Sequence, residues 1–235
     1  MESPLKQRGV LLIGFKLLVN DKGKFSALLL GITFSVFLMV QMTSMFAGIL
    51  NRAYSTVTNI GAAVWIMDPA VNTPNSPIPV PDYLLDAVRS MNGVSYAVPI
   101  FIGGGQVHLK NGNYQGVSVV GLDDNTLFGR PALEQGEIQD IFADNGFIVV
   151  HDSEFSKLDN PDVGSSFELN DHRSTIVGIA KVAANGLNGV PTLYTTYNRA
   201  VAYLPTPRFT ISYVLVQPKS PADVPDIQKQ VAALG

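Results

Sequence analysis

The longest apolar pattern in the chain is an uncharged run of 27 residues, over positions 25–51. As an α-helix this run would extend roughly 40 Å, whereas the hydrocarbon core of a bilayer is about 30 Å thick. Buried helices of soluble proteins rarely stay uncharged for so long. The apolar region of a cleaved signal peptide is shorter, about 7–15 residues, and ends at a small-residue cleavage site. The pattern therefore predicts an uncleaved transmembrane helix.

Small residues recur within this run at a spacing of four. Ala27, Gly31 and Ser35 share one face of the predicted helix, and Ser44 and Gly48 repeat the spacing further along. Small side chains let a second helix approach closely, so the stripe is a candidate packing face for a homodimer. The alternative is ordinary transmembrane composition, in which Gly and Ser are common.

The stretch before the run predicts a short helix followed by a turn at residues 20–23. Its apolar part, residues 10–19, is too short to cross a bilayer. We expect an elbow on the membrane surface, with its lysines at the lipid headgroups.

The stretch after the run has the patterning of a mixed α/β domain. Five prolines between positions 68 and 81 predict an extended loop. A helix is expected from residue 82, with Asn92-Gly93 as its stop signal, and a strand over residues 94–102. At the end of the chain, a strand over 209–218 precedes an amphipathic helix over 221–234, whose apolar face comprises Val224, Ile227, Val231 and Leu234.

Two hairpins and one buried strand are expected between these segments. β-rich runs flank Asn111-Gly112, which is a strong hairpin signal, and a second pair turns around Asn170-Asp171. Between them, residues 147–150 indicate a buried strand, followed by a short helix from about Ser153.

This order of elements predicts an α+β fold. It comprises one N-terminal transmembrane helix followed by a mixed α/β extracytoplasmic domain that contains a nested β-rich subdomain. We divide the chain into an elbow (1–24), a transmembrane helix (25–51) and an outer domain (52–235), with the nested subdomain at about 125–208.

The distribution of charge predicts the orientation. The formal net charge of -3 does not favour nucleic-acid binding, which needs a basic surface. Three lysines (Lys16, Lys22, Lys24) precede the apolar run closely, whereas Arg52 is the only basic residue after it until Arg89. The positive-inside rule then predicts a cytoplasmic N-terminus in the inner (plasma) membrane and a periplasmic or extracellular C-terminal domain.

Motifs for nucleotide hydrolysis are missing from the sequence. Gly23-Lys24 is followed by Phe25 rather than Ser or Thr, and Gly103-Gly104-Gly105 lacks the frame of a dinucleotide loop. We expect the glycine triplet to form a flexible turn or bulge. The chain also contains no cysteine, and therefore has neither a thiolate nucleophile nor a thiolate metal ligand.

The remaining chemical candidates are also better explained by structural roles. His108, His151 and His172 show no metal-ligand spacing. His151-Asp152-Ser153 holds the three residue types of a serine triad, but adjacent residues cannot readily arrange as one, and Asp152 or Ser153 more simply caps the next helix. Asp123-Asp124 is typical of a turn. We therefore predict no catalytic, cofactor-binding or metal-binding residues, and a protein that is not an enzyme.

Taken in order, three segments resemble one family. Residues 16–32 are similar to the start of the first transmembrane helix of FtsX/MacB-type ABC transporter permeases. Residues 147–182 resemble the MacB-like periplasmic core domain, with a turn at Val163-Gly164 and a hairpin ending in residues 176–179, and residues 208–234 resemble its returning strand and helix. The DevC-like permeases, whose ATPase is a separate chain, are a similar subgroup. One departure is the basic run before the span, which Asn20 and Asp21 dilute.

The resemblance implies the N-terminal part of an ABC transporter permease subunit. An ABC ATPase subunit would then hydrolyse ATP, and the chain would transmit the motion to the periplasmic domain for export, with a membrane-fusion or adaptor protein as a further partner. The family carries three more transmembrane helices, expected after Gly235. Two alternatives stay open: a single-pass anchored binding or adaptor protein, and a membrane-anchored hydrolase.

Overall fold

A computed structural model describes residues 13–182 and 189–234. Its contacts divide the chain into two units, Met1–Leu50 and Asn51–Gly235. The first unit contains helix α1 over residues 13–20, a break at Asp21, and most of helix α2, Lys22–Ile60. Residues 51–60, the last turns of α2, belong to the second unit.

Three hydroxyl groups in the apolar part of α2 are satisfied within the helix itself. The hydroxyls of Ser26, Ser35 and Thr43 each donate to the carbonyl oxygen four residues earlier, at 2.8 Å. A helix in hydrocarbon needs this arrangement, because lipid offers no hydrogen-bond partner. Within the described residues, α2 is the one helix long and apolar enough to cross a membrane.

The second unit is built on a nine-stranded mixed sheet. The strands of this unit are β1 (Val64–Ile66), β2 (Val80–Pro81), β3 (Val94–His108), β4 (Tyr114–Leu122), β5 (Leu133–Gly136), β6 (Gly146–Val150), β7 (Ser166–Leu169), β8 (His172–Ala180), β9 (Thr192–Thr196), β10 (Thr210–Ile211) and β11 (Tyr213–Pro218). The strand order in the sheet is β1-β11-β3-β4-β9-β6-β8-β5, with β7 pairing both β3 and β8, and β2 pairs β10 in a separate ribbon.

Both faces of this sheet are packed. Because successive side chains of a strand point to opposite faces, Ile100 and Ile102 of β3 lie in one apolar cluster and Phe101 lies in another. The first cluster also contains Ile60 at the end of α2, and loops cover it; the second includes Phe147. Every residue of β6 is buried because both faces of the sheet are covered there. This also explains why its sequence is a continuous apolar run without alternation.

In its described residues the domain also has three short α-helices, α3 (Tyr83–Arg89), α4 (Tyr197–Tyr203) and α5 (Val224–Ala232). Three 3-10 helices accompany them, Ile138–Phe142, Phe155–Leu158 and Pro221–Asp223. Ile227 of α5 and Val88 of α3 are fully buried in a third cluster. Helix α4 lies directly on β4, where Gly121 permits the approach, since a Cβ there would lie 2.6 Å from the Cβ of Ala200.

The fold class expected from the sequence is confirmed: a long apolar N-terminal helix precedes a mixed α/β, β-rich domain. Both hairpins occur as expected, between β3 and β4 and between β7 and β8. The prediction for Gly103–Gly105 was wrong, because these glycines lie inside β3 and pair with β4. Helix α4 and strand β9 were not predicted, and Leu234 is half exposed rather than packed.

Candidate functional site

The last turns of α2 are anchored in the sheet domain, and we call this region the junction (residues 51–60). Ile60 is only 4% exposed and packs in the same cluster as Ile100. One turn earlier, the buried Thr56 donates its hydroxyl to Asn75 Oδ1, at 2.8 Å. These contacts fix the helix end against both the core and the proline-rich loop that precedes β2.

Arg52, the first charged residue after the apolar run, extends the junction to the turn after β6. Its Nη2 donates to Ser153 Oγ at 2.5 Å and lies 3.6 Å from Glu154 Oε1. Ser153 in turn donates to the same Glu154 oxygen, at 2.9 Å. Two residues that are 101 positions apart in sequence are thus in direct contact.

Glu154 links this contact to the segment before β9. Its carboxylate lies 2.5 Å from Lys157 Nζ, which also donates to the Gly189 carbonyl at 2.5 Å. The side chain of Glu154 is only 13% exposed. The hydrogen bond from Lys157, reinforced by the one from Ser153, holds the pKa of Glu154 below its usual range. We call Arg52, Ser153, Glu154 and Lys157 the junction network.

Local turn chemistry sets the geometry of this network. The Asp152 carboxylate accepts the backbone N–H of Glu154 at 2.9 Å, and its carbonyl accepts the N–H of Phe155. Burial raises the pKa of Asp152. Asp152 therefore organises the turn ahead of the 3-10 helix Phe155–Leu158. The expected cap by Asp152 or Ser153 was wrong, because the N-cap residue is Glu154 and no side chain caps this helix, and Ser153 instead contacts Arg52.

Glu154→Gln is expected to lower the free energy of unfolding at neutral pH by about 1–3 kcal/mol. The reason is that the substitution replaces a carboxylate shielded from water by a neutral amide and so removes its charge-assisted hydrogen bonds. The lowered pKa of Glu154 means that its contribution is present above the unfolded value of 4.5 and disappears as the pH falls through the folded value. The gap between wild type and variant should therefore close in acid. Denaturant titrations at several pH values, read through the single tryptophan, Trp65, measure it.

Asp226→Asn is the matched control. The ion pair between Asp226 and Lys229 is a similar one-turn contact, but both side chains are at least 75% exposed. Exposed pairs contribute at most about 1 kcal/mol. Equal losses in the two variants at neutral pH would contradict a special role for Glu154.

The three histidines lie apart and each has its own neighbour. His108 Nδ1 lies 3.2 Å from Glu168, His151 Nδ1 lies 2.8 Å from Glu134, and the His172 ring stacks on Tyr203. The bond with His151, together with Lys181, keeps the pKa of Glu134 low. Across the described ranges, no group of three metal-ligating side chains comes together.

The other candidates occupy structural positions. His151 Nδ1 bonds Glu134, whereas Ser153 Oγ accepts from Arg52 and donates to Glu154, so in the described residues each side chain has other partners. Asp123 accepts both the backbone N–H and the hydroxyl of Thr126, which is the contact of a turn. The sequence marked Arg52 only as an orientation signal, and no local pattern marked Ser153 as its partner.

Solved structures with a similar fold include two domains of ABC-type transporters. The extracellular domain of the ABC-type transporter YknZ from Gram-positive bacteria is similar with a TM-score of 0.53 and 14% identity, over 72% of this chain and 90% of that one. The periplasmic region of MacB from Actinobacillus actinomycetemcomitans has a TM-score of 0.50 and 11% identity, over 72% and 82%. A comparison with curated protein sequences gave no match.

The sequence profile of the MacB-like periplasmic core domain matches residues 26–234. This range includes the apolar part of α2, the junction and the whole sheet domain. The profile therefore covers the helix together with the domain in which its last turns are anchored. On this evidence the chain belongs to the family of MacB-like periplasmic core domains of ABC transporters.

Proposed function

We propose that the chain is the N-terminal part of an ABC transporter permease subunit and transmits motion driven by a separate ATPase subunit to its outer domain, for export. The observation that carries this proposal is the junction. A helix whose end is fixed to a folded domain by several contacts moves that domain when it moves.

The contacts of the junction are spread along the helix axis. Arg52, Thr56 and Ile60 follow one another at intervals of four residues, about 6 Å each, and reach three different parts of the domain. A single contact would act as a pivot, whereas three contacts resist both tilting and rotation of the helix end. The junction therefore suits mechanical transmission and requires no covalent chemistry of this chain.

The proposal includes a membrane arrangement. Residues 1–24 form the cytoplasmic or interfacial elbow in contact with membrane lipids, 25–51 span the inner membrane, and 52–235 form the periplasmic domain, with a nested subdomain at about 125–208. The stripe at Ala27, Gly31 and Ser35 packs against a second copy in a homodimer. An adaptor or membrane-fusion protein binds the outer domain.

Single-cysteine labelling tests the orientation, and the chain is suited to it because it has no native cysteine. We expect Asn113→Cys, in the exposed turn between β3 and β4, to react with an impermeant maleimide in intact spheroplasts. Asn20→Cys, before the span, should react only after permeabilisation. The reverse pattern would contradict the proposed orientation.

Distance measurements test the transmission. We would purify the full-length protein with its ATPase in nanodiscs, attach a spin label at Asn113→Cys, and measure the distance between the two copies with and without ATP and vanadate. A nucleotide-dependent shift is expected. A distance that does not respond to nucleotide, with the ATPase active, would instead favour a single-pass binding or adaptor protein.

Arg52→Met in the labelled protein tests whether the junction carries the motion. It removes the contact with Ser153 and should reduce the nucleotide-dependent shift at position 113 without reducing ATP hydrolysis. Lys229→Met removes an exposed ion pair on α5 and should leave the shift intact. If both variants behave alike, the junction network does not carry the motion.

A further inference from the structure

A gap in the sheet lies along β3, on the side opposite β4. On this side β11 pairs with β3 only as far as Ile100, and β7 pairs only from Val107 onward. The backbone of β3 thus runs past residues 101–106 without a neighbouring strand, a distance of about 20 Å.

Side chains complete the two ends of this gap. Ile102 donates its N–H to Ser212 Oγ at 3.2 Å, and its carbonyl lies 3.4 Å from the same hydroxyl. Gln106 donates to Asn170 Oδ1 at 2.9 Å and accepts from the Asn170 N–H at 3.0 Å. Asn170 therefore imitates a strand residue at one end, and Ser212 does so at the other.

Gly104, midway between them, presents an unused donor and acceptor. Alternate residues of a strand point their N–H and C=O to the same side, so Gly104 shares the side of Ile102 and Gln106. In β4, Ser118 lies opposite Gly104. The N–H of Ser118 donates to the Pro191 carbonyl and therefore points away from β3, so Gly104 and Ser118 form a pair without hydrogen bonds between the two strands. In the part of the chain that the structure describes, neither backbone group of Gly104 has a hydrogen-bond partner.

A cleft of about 960 Å³ lies over this gap. Its floor is open because Gly104 and Gly116 carry no side chain: a Cβ on Gly116 would meet no atom within 4 Å, and one on Gly104 would meet only the Val117 carbonyl, at 4.0 Å. Tyr203 and Pro205 also line the cleft. The floor thus has room for another polypeptide backbone.

The charged side chains around the cleft favour a basic ligand. The ionisable side chains that line the cleft are His108, Glu168, Asp171 and the phenols of Tyr114 and Tyr203. Glu168 is already close to His108, whereas Asp171 is exposed in the turn between β7 and β8. Two carboxylates against one imidazole give the rim a net negative charge at neutral pH.

We propose that this cleft binds an extended, basic peptide segment of a second protein. One residue of that segment pairs its N–H and C=O with Gly104, and a Lys or Arg side chain lies against Glu168 and Asp171. An extended residue carries its donor and acceptor at the spacing that Gly104 offers, and strand addition to open sheet edges is a recurrent mode of peptide recognition. The cleft adjoins the junction, because Asn75, which accepts the Thr56 hydroxyl, also lines it. The peptide proposal does not depend on the proposed transmission.

Peptide titrations on the full chain in nanodiscs test the backbone pairing. The probe is acetyl-Thr-Lys-Val-Lys-Thr-amide, with two analogues that carry a single N-methyl group, on the central Val or on the Lys after it. Neighbouring amides of a strand point in opposite directions, so we expect one analogue to bind at least tenfold more weakly and the other to bind like the parent. Equal affinity of all three peptides would overturn the proposal.

Variants of the protein test the place of binding. Gly104→Val adds a Cβ whose nearest neighbour would be the Val117 carbonyl oxygen, at 4.0 Å, and two methyl groups that narrow the floor. It should weaken binding at least tenfold, while the thermal unfolding read by Trp65 stays unchanged. Glu168→Gln combined with Asp171→Asn should weaken the lysine-containing probe more than a probe in which Ala replaces both lysines. Asp226→Asn, far from the cleft in sequence and not among its lining residues, is the matched control.

Two outcomes would count against the cleft as a peptide site. If Gly104→Val binds the probe as wild type does, the peptide binds elsewhere. If the probe does not bind and Gly104→Val alters self-association, the occupant of the gap is a second copy of this chain rather than a separate basic segment.

Discussion

Ile60→Ala is expected to lower the free energy of unfolding of the sheet domain by about 2–5 kcal/mol, the usual range for truncating a buried Ile. Ile60 is the last residue of α2, is 4% exposed, and packs in the cluster that contains Ile100 and Tyr213. The truncation removes apolar contacts and leaves a cavity where the helix meets the core. For a domain of this size the unfolding midpoint should fall by about 4–20 °C.

Trp65 makes this loss measurable in the intact chain. It is the single tryptophan, it packs against the same cluster, and its ring meets Tyr213 edge-on at 5.5 Å. Its fluorescence therefore follows the unfolding of the sheet domain and is not confused with changes in the membrane segment. Thermal melts of the full chain in detergent are sufficient.

Ile78→Ala is the control, because it removes the same atoms from a side chain that is 38% exposed. We expect a loss of about 1–2 kcal/mol, at or below the lower end of the range for Ile60, because a partly exposed side chain buries less apolar surface and leaves no enclosed cavity. Comparable losses at positions 60 and 78 would show that Ile60 does not anchor the helix end in the core, and the junction would lose its main apolar contact.

The elements that the sequence predicted well are those specified by neighbouring residues. The β3–β4 turn depends on Asn111-Gly112, where Gly112 has a φ of +83° and no atom within 4 Å of a Cβ position. The β7–β8 turn similarly uses Asn170 and Asp171 in the left-handed region. In each case the turn chemistry and the flanking strands lie within a short window, so one sequence carries the whole signal.

The elements that were missed depend on distant partners. Strand β9 pairs parallel with β4, in a register that joins Ser118 to Thr192, and α4 follows it directly. Nothing in residues 192–203 specifies that pairing. The glycines at 103–105 have the local composition of a turn, yet pairing with residues 117–119 of β4 keeps them extended. Tertiary context thus overrides local preference in both cases.

The junction shows the same limit at the level of function. Charge patterning identified Arg52 as the only basic residue between the span and Arg89, but only the fold brings it to Ser153 and Glu154. The family resemblance was recognisable from the order of segments, whereas the residues that hold the helix end were not. Similarly, the gap at Gly104 follows from where β11 and β7 end, which no sequence pattern specifies.

Gly136→Ala is the second large effect we expect, about 2–5 kcal/mol. Gly136, the last residue of β5, has a φ of +83°, which costs an L-residue about 1–2 kcal/mol. In addition, a Cβ there would lie 2.3 Å from the Val177 carbonyl oxygen and 2.9 Å from the Gly178 Cα, both in the backbone of β8. Relieving such overpacking typically costs a further 1–3 kcal/mol, because the strand itself must move.

Gly112→Ala separates the two contributions, because Gly112 has the same φ of +83° but open space around its Cβ position. It should lose only the conformational part, about 1–2 kcal/mol. The difference between the two variants in Trp65 melts then measures the close approach of β5 to β8. If the two variants lose equal stability, β5 can move away from β8 at little cost. The irregular pairing between Leu133 and Gln135 would then belong to a weakly packed edge strand.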